Sequence, residues 1–230
     1  MPRGPRNTPG GYIYHVLNRA NARATIFEQQ SDYWAFIEVV RESLLVVPIR
    51  VLTYCVMPNH WHFVMWPKHD DQLSEFMHQL TTTHACRWHA FHGTVGRGHL
   101  YQGPFKSFPV EDDGHFYTLC RYVERNAVRA NLVDDAALWT WGGTWARTNL
   151  ASPCSLPLAD WPLRRPADWL ERVNRALTAS ELKAIRACTR RGRPFGTPAW
   201  QKDTARALGL ESTLRSRGRP RTRGVAAIQH

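Results

Sequence analysis

Residues 54–66 read "YCVMPNHWHFVMW". The run is apolar and β-branched or aromatic on both sides of a short break. Residues 49–56, "IRVLTYCV", predict a strand. "MPN" predicts a turn, and residues 60–66, "HWHFVMW", predict the returning strand of a hairpin. Strand side chains alternate between two faces, so His60 and His62 share one and Trp61 and Phe63 share the other. The aromatic pair reads as core. The histidine pair has the geometry of two metal ligands on one strand. The chain holds 11 His, however. An H-x-H of this kind is expected by chance about every second chain of such composition, so spacing alone also admits two ordinary satisfied histidines.

Working outward from the hairpin, "YIYHVLN" (12–18) follows Gly-Gly and predicts a first strand. Residues 31–47 open at Ser31 as N-cap and carry apolar residues at helical spacing until Pro48. Residues 73–92 carry a second helical stripe, with His84 at one of its inward positions. "FKSFPVE" (105–111) predicts a strand, with Pro109 pointing to a sheet edge. Residues 115–130 form a third helical stripe, and Asn131 suits the left-handed position after it. The order of the first six elements is βαββαβ. It predicts an α+β, ferredoxin-like domain: a mostly antiparallel sheet with helices on one face.

On the last helix Tyr122, Asn126 and Arg129 lie at i, i+4 and i+7 and share a face outside the apolar stripe. Such a face offers a nucleophile, a carboxamide and a phosphate clamp. It is equally the pattern of an ordinary solvated helix face.

The charge is uneven. Residues 181–230 hold twelve Lys/Arg against three acids, so +9 of the chain's net +11 lies there. The excess is almost all Arg, which points to a polyanion and chiefly to nucleic acid. Three regions are expected: a domain over 1–150, a Pro-rich linker and helix over 151–180, and an Arg-rich, helical or disordered DNA-binding extension over 181–230. Toward the C-terminal end, a Thr178/Glu181 capping box and a Thr197-Pro198 start predict two short helices. The five Cys form no C-x-x-C pair, which fits a reducing compartment, and no apolar run reaches membrane-spanning length. A cytoplasmic, nucleoid-associated protein without membrane contact is expected.

"YHVLNRANAR…IF", "YCVMPNHWHFVMWP", "GHLYQGPFKS" and "RYVERNAVRANLV" occur in that order over residues 10–145. Together they resemble the REP-associated tyrosine transposases, a branch of the single-tyrosine HUH transposases. The resemblance implies Tyr122 as catalytic nucleophile and His60, His62 and Asn126 as ligands of Mg²⁺ or Mn²⁺. It implies a metal-dependent single-stranded DNA endonuclease and strand-transferase. Such an enzyme, a monomer in this branch, cleaves and rejoins DNA at palindromic repeat hairpins through a 5′-phosphotyrosine. Arg19, Lys106 and Arg129 match basic positions of the motifs and are assigned to DNA phosphates.

Tyr101, Trp139 and Trp141 are candidates to stack bases, and for the two Trp core packing is the alternative. Arg217-Gly218-Arg219-Pro220 and Arg191-Gly192-Arg193-Pro194 resemble minor-groove hooks for A·T tracts, and equally suit plain phosphate binding. The chain departs from the family pattern in carrying Ala127 for Pro and Pro104 for Arg. "WTWGGTW" replaces Trp-Ser-Ser and is expected to loosen that segment. Two other classes stay open: a non-catalytic protein of the same fold that binds repeat hairpins, and an unrelated metalloenzyme with a nucleic-acid tail.

Overall fold

The computed structural model describes residues 7–215. Four strands, β1 (Ile13–Arg19), β2 (Arg50–Met57), β3 (His60–Trp66) and β4 (Lys106–Val110), form one sheet in the order β2-β3-β1-β4. Every neighbouring pair is antiparallel. The helices α1 (Gln30–Val46) and α2 (Gln72–Phe91) connect them as the βαββαβ order predicts. They pack on one face, where Phe36, Ile37, Phe76 and Leu80 meet Val16, Tyr54, Trp61 and Phe63. Met57 pairs with His60 across the turn Pro58–Asn59, so the hairpin is the one read from the sequence.

The opposite face is also covered, beyond the one-face arrangement of the first six elements. Helix α3 (Gly114–Glu124) lies on it, with Phe116, Leu119 and Val123 against Ile13, Cys55, Val64 and Phe108. The backbone breaks after Glu124 and resumes as α4 (Asn126–Arg129), so the predicted single helix over 115–130 is two. Asn131 adopts φ 56°, the left-handed position expected after it. α1 starts at Gln30, earlier than the Ser31 cap. A buried Asp32 instead reaches back to accept the N–H groups of Glu28 and Gln29, both at 2.9 Å.

Both sheet edges are closed by the rest of the chain, which removes unpaired backbone groups. On the β2 side Val56 N–H donates to Trp141 C=O (2.9 Å), and Ala159 N–H donates to Val51 C=O (2.8 Å). The expected linker is therefore laid along β2, and Leu156 sits in the main core. The "GG" of "WTWGGTW" tightens rather than loosens this side. A Cβ on Gly143 would overlap the Thr53 hydroxyl, so only glycine lets α5 (Gly143–Thr148) approach β2.

On the β4 side Phe195 N–H donates to Pro109 C=O and its own C=O accepts from Glu111 N–H, both at 2.9 Å. After α6 (Trp169–Asn174), α7 (Ala179–Arg191) and α8 (Pro198–Ala207) start at the predicted caps, Thr178 and Thr197. Ile185 and Cys188 of α7 join the α3-side core, so the described part of the extension is built into the domain.

One buried carboxylate ties these pieces together. Glu124 is 2 % exposed and accepts from Thr53 Oγ1 (2.6 Å), Thr144 Oγ1 (2.7 Å) and Trp169 Nε1 (2.7 Å). It joins α3 to β2, α5 and α6 at once, and charged acceptors make the stronger hydrogen bonds. Removing it leaves three buried donors unpaired. Glu124→Ala is expected to lower stability by about 3 kcal/mol in urea unfolding, and Glu124→Gln by less. A loss below about 0.5 kcal/mol for Glu124→Ala would show that the junction is not held this way.

Candidate active site

β3 lies between β2 and β1, so its side chains enter both cores. Trp61 and Phe63 are fully buried under α1 and α2. His60 and His62 point to the other face, under α3. Their ring centroids are 5.0 Å apart. The Tyr122 ring stands 5.8 Å from the His62 ring at 85°. The histidine pair and the tyrosine, far apart in sequence, therefore meet. They do so because α3 crosses the second face, and Tyr122 (7 % exposed) is turned inward rather than lying on a solvated helix face.

Each histidine is held through its Nδ1. Asn59 Nδ2 donates to Arg23 C=O (3.2 Å), which turns its Oδ1 toward His60 Nδ1 at 2.6 Å. An oxygen acceptor requires the proton on His60 Nδ1, leaving Nε2 with a lone pair. His62 Nδ1 faces His15 Nε2 at 2.9 Å, and His62 Nε2 is buried without a partner among the described residues. Burial, then the positive Arg19 and Arg129, lowers the His60 pKa to about 3. Burial likewise takes His15 to about 3, and with the neighbouring histidines and arginines holds His62 well below its usual value. Neutral imidazoles with free lone pairs suit metal ligation.

Asn126 is fully buried. Its Nδ2 donates to the C=O groups of Tyr122 (3.0 Å) and Val123 (3.2 Å), across the α3–α4 break. Its Oδ1 accepts from the Arg129 guanidinium. Arg129 also lies over the Tyr122 ring, with Cζ 5.2 Å from the centroid. Arg19 pairs with His60 across β1 and β3, and its Nε is buried without a partner among the described residues. Two guanidinium groups thus flank the tyrosine and the histidines, which is the electrostatic setting for a phosphate.

Other candidates are placed elsewhere. Lys106 is exposed and lines a cleft of about 370 Å³ with Arg190 and Arg191, between β4 and the C-terminal helices. Arg193 is occupied by Gln201 Oε1, and Gly192 is the left-handed cap of α7, so residues 191–194 are not an extended hook. Arg217 and Arg219 lie outside the described residues.

Tyr101 is not a stacking platform. It is buried, its hydroxyl accepts from Trp61 Nε1 (3.0 Å), and it contacts His84 Nδ1 (2.6 Å). Trp141 stacks on Tyr33 in the core (5.1 Å, 15°), and the half-buried Trp139 donates to Val56 C=O (3.0 Å). Glu111, Asp113 and His115 place three ligand atoms within 4.8 Å. Glu111 already binds Thr197 and Asp113 caps α3, so their hydrogen bonds account for the group.

Sequence reading missed His15, Asn59 and Glu124. His15 shares the parity of Arg19 on β1, but only the β1–β3 register sets it beside His62.

The second face of the βαββαβ sheet thus joins an H-x-H pair to a helix-borne tyrosine. Residues 10–126, more than half of the chain, match the profile described as transposase IS200-like, and the chain belongs to that family. It is a transposase. Among solved structures, one described as the REP-associated tyrosine transposase bound to a REP hairpin is similar at 18% identity. The match covers 73% of this chain and 100% of that one, with TM-score 0.48. A second, described as a transposase from Deinococcus radiodurans R1, is 16% identical, covering 57% and 91%, with TM-score 0.37. No curated protein matched. No helix among the described residues is long and apolar enough to cross a membrane.

The neutral histidines carry a pH signature. His15, His60 and His84 titrate near 3 in the folded chain and near 6.5 when unfolded, with burial the leading cause in each. Between those values the unfolded chain binds more protons, so stability is fully present above about pH 6.5 and is lost as pH falls toward 3. Each such group contributes a slope approaching about 1.4 kcal/mol per pH unit. Urea unfolding at pH 5.5 should show lower stability than at pH 7.5 by at least that much. Equal stability at the two pH values would contradict the burial of neutral histidines.

Proposed function

We propose that this transposase is a metal-dependent single-stranded DNA endonuclease and strand-transferase in which Tyr122 is the nucleophile. The observation that carries the reading is the meeting of Tyr122 with His60 and His62 on one buried face. The Tyr122 Oη gives up its proton and attacks a phosphodiester phosphorus, the P–O3′ bond breaks, and the 5′-phosphate remains on the tyrosine. The departing 3′ oxygen takes up a proton to become a 3′-OH. A 3′-OH later attacks the same phosphorus, the P–O(Tyr) bond breaks, and the strands are rejoined. One ester bond is exchanged for another in each step, so no external energy source is required. Arg19 and Arg129 bind the phosphate and offset the negative charge that grows on it.

The donor set fits a divalent metal: His62 Nε2 is a buried orphan, and His60 Nε2 is left free by Asn59. His60 and His62 would hold the ion. Asn126 Oδ1, which gives one lone pair to Arg129, has a second to offer. Two imidazoles favour Mn²⁺ over Mg²⁺, which prefers oxygen ligands. When bound, the metal polarises the phosphoryl oxygens and helps align the scissile bond.

The DNA class is proposed to be single strands folded into repeat hairpins. The ordered motifs support this, as does the basic cleft of Lys106, Arg190 and Arg191 beside β4. The histidines and the tyrosine meet within one chain, which supports action as a monomer on DNA. Incubation with hairpin-bearing single strands and Mn²⁺ should give a protein–DNA adduct that survives a denaturing gel, and Tyr122→Phe should give none. An equal adduct from Tyr122→Phe, or no wild-type adduct across a hairpin library, would sink the mechanism.

A further inference from the structure

His60 and His62 are each gripped through Nδ1, but by different partners. For His60 the partner is a carboxamide oxygen, which only accepts, so its tautomer is settled. For His62 the partner is another imidazole, His15 Nε2 at 2.9 Å, which either donates or accepts. The rings are nearly parallel at 6°, with centroids 5.1 Å apart. His15 is wholly buried, packed edge-on to Phe108 at 4.9 Å and at 89° to Tyr122 at 6.2 Å. Both remaining ring nitrogens, His15 Nδ1 and His62 Nε2, are buried and have no partner among the described residues.

Two proton arrangements satisfy this pair. In one, His15 Nε2–H donates to His62 Nδ1, and the His62 proton sits on Nε2, where it blocks ligation. In the other, His62 Nδ1–H donates to His15 Nε2, and His62 Nε2 keeps a free lone pair. The geometry points to His15 as the positioning residue that accepts the His62 Nδ1 proton and so makes His62 a metal ligand. The inference rests on the proposed metal site. It extends to β1, a strand with no ligand of its own, the role that outer partners of ligating histidines play generally. His15 also packs on Tyr122, so one ring sets the orientation of a ligand and of the nucleophile together.

The test reads protons and binding, not turnover. In ¹⁵N-edited imidazole spectra of the Zn²⁺-loaded wild type, His62 and His15 should each carry their proton on Nδ1. A His15 proton on Nε2 overturns the inference. Mn²⁺ titration followed by EPR should show His15→Leu binding about tenfold or more weakly than wild type, as is usual when such a partner is lost. His15→Gln, whose Oε1 also accepts, should stay within about threefold. Wild-type affinity in His15→Leu, or equal losses in folded Leu and Gln variants, shows that His15 does not act through the proton. If His15→Leu does not fold, the wild-type spectra and His15→Gln decide. If His62→Ala binds Mn²⁺ as tightly as wild type, the metal site itself is misplaced and both readings fall. Loss in His62→Ala with none in His15→Leu removes only the present one.

Discussion

β3 is buried on both of its faces, and this shapes everything around it. A strand sends alternate side chains to opposite sides, so burying both sides asks for an apolar residue at every position. Trp61, Phe63 and Met65 meet that demand toward α1 and α2. On the other side His60 and His62 stand where apolar residues would otherwise be. Their cost is contained because burial keeps them neutral and each has one nitrogen in a hydrogen bond. Closing the second face with α3 then brings Tyr122 onto the pair.

The closure is itself anchored. Glu124, two residues after Tyr122, is fixed to β2, α5 and α6, and the helix breaks immediately beyond it. Asn126 folds its carboxamide back over that break and holds Arg129 beside the tyrosine ring. The motif "RYVERNAVR" thus combines the proposed nucleophile, a structural carboxylate and a guanidinium beside the tyrosine ring within two turns. His84, Tyr101 and Trp61 form a separate polar chain inside the first core, remote in role from the site.

Much of this was legible in the residues. Alternation in 49–66 and helical spacing in 31–47 and 73–92 carried the βαββαβ order, and β3 fell on the residues expected. The His60–His62 face followed from the strand period alone. What could not be read was pairwise. Helical spacing placed Tyr122 outside the apolar stripe and so suggested a solvated face. Only tertiary packing shows that a polar face turns inward when the sheet beneath it is polar too. Tyr101 and Trp141 looked like stacking platforms because composition does not report burial. Gly143 looked like a loosened joint because the close approach to Thr53 is a contact across ninety residues. His15 escaped notice because its partner is set by strand register, which single-strand patterns do not encode.

The central claim is that His60 and His62, beneath Tyr122, form a metal site. Pulsed EPR of the Mn²⁺-loaded protein counts coordinated imidazole nitrogens directly. Two histidine nitrogens are expected, falling to one in His60→Ala and one in His62→Ala. Coordination by oxygen alone, or a nitrogen count unchanged by either substitution, would contradict it.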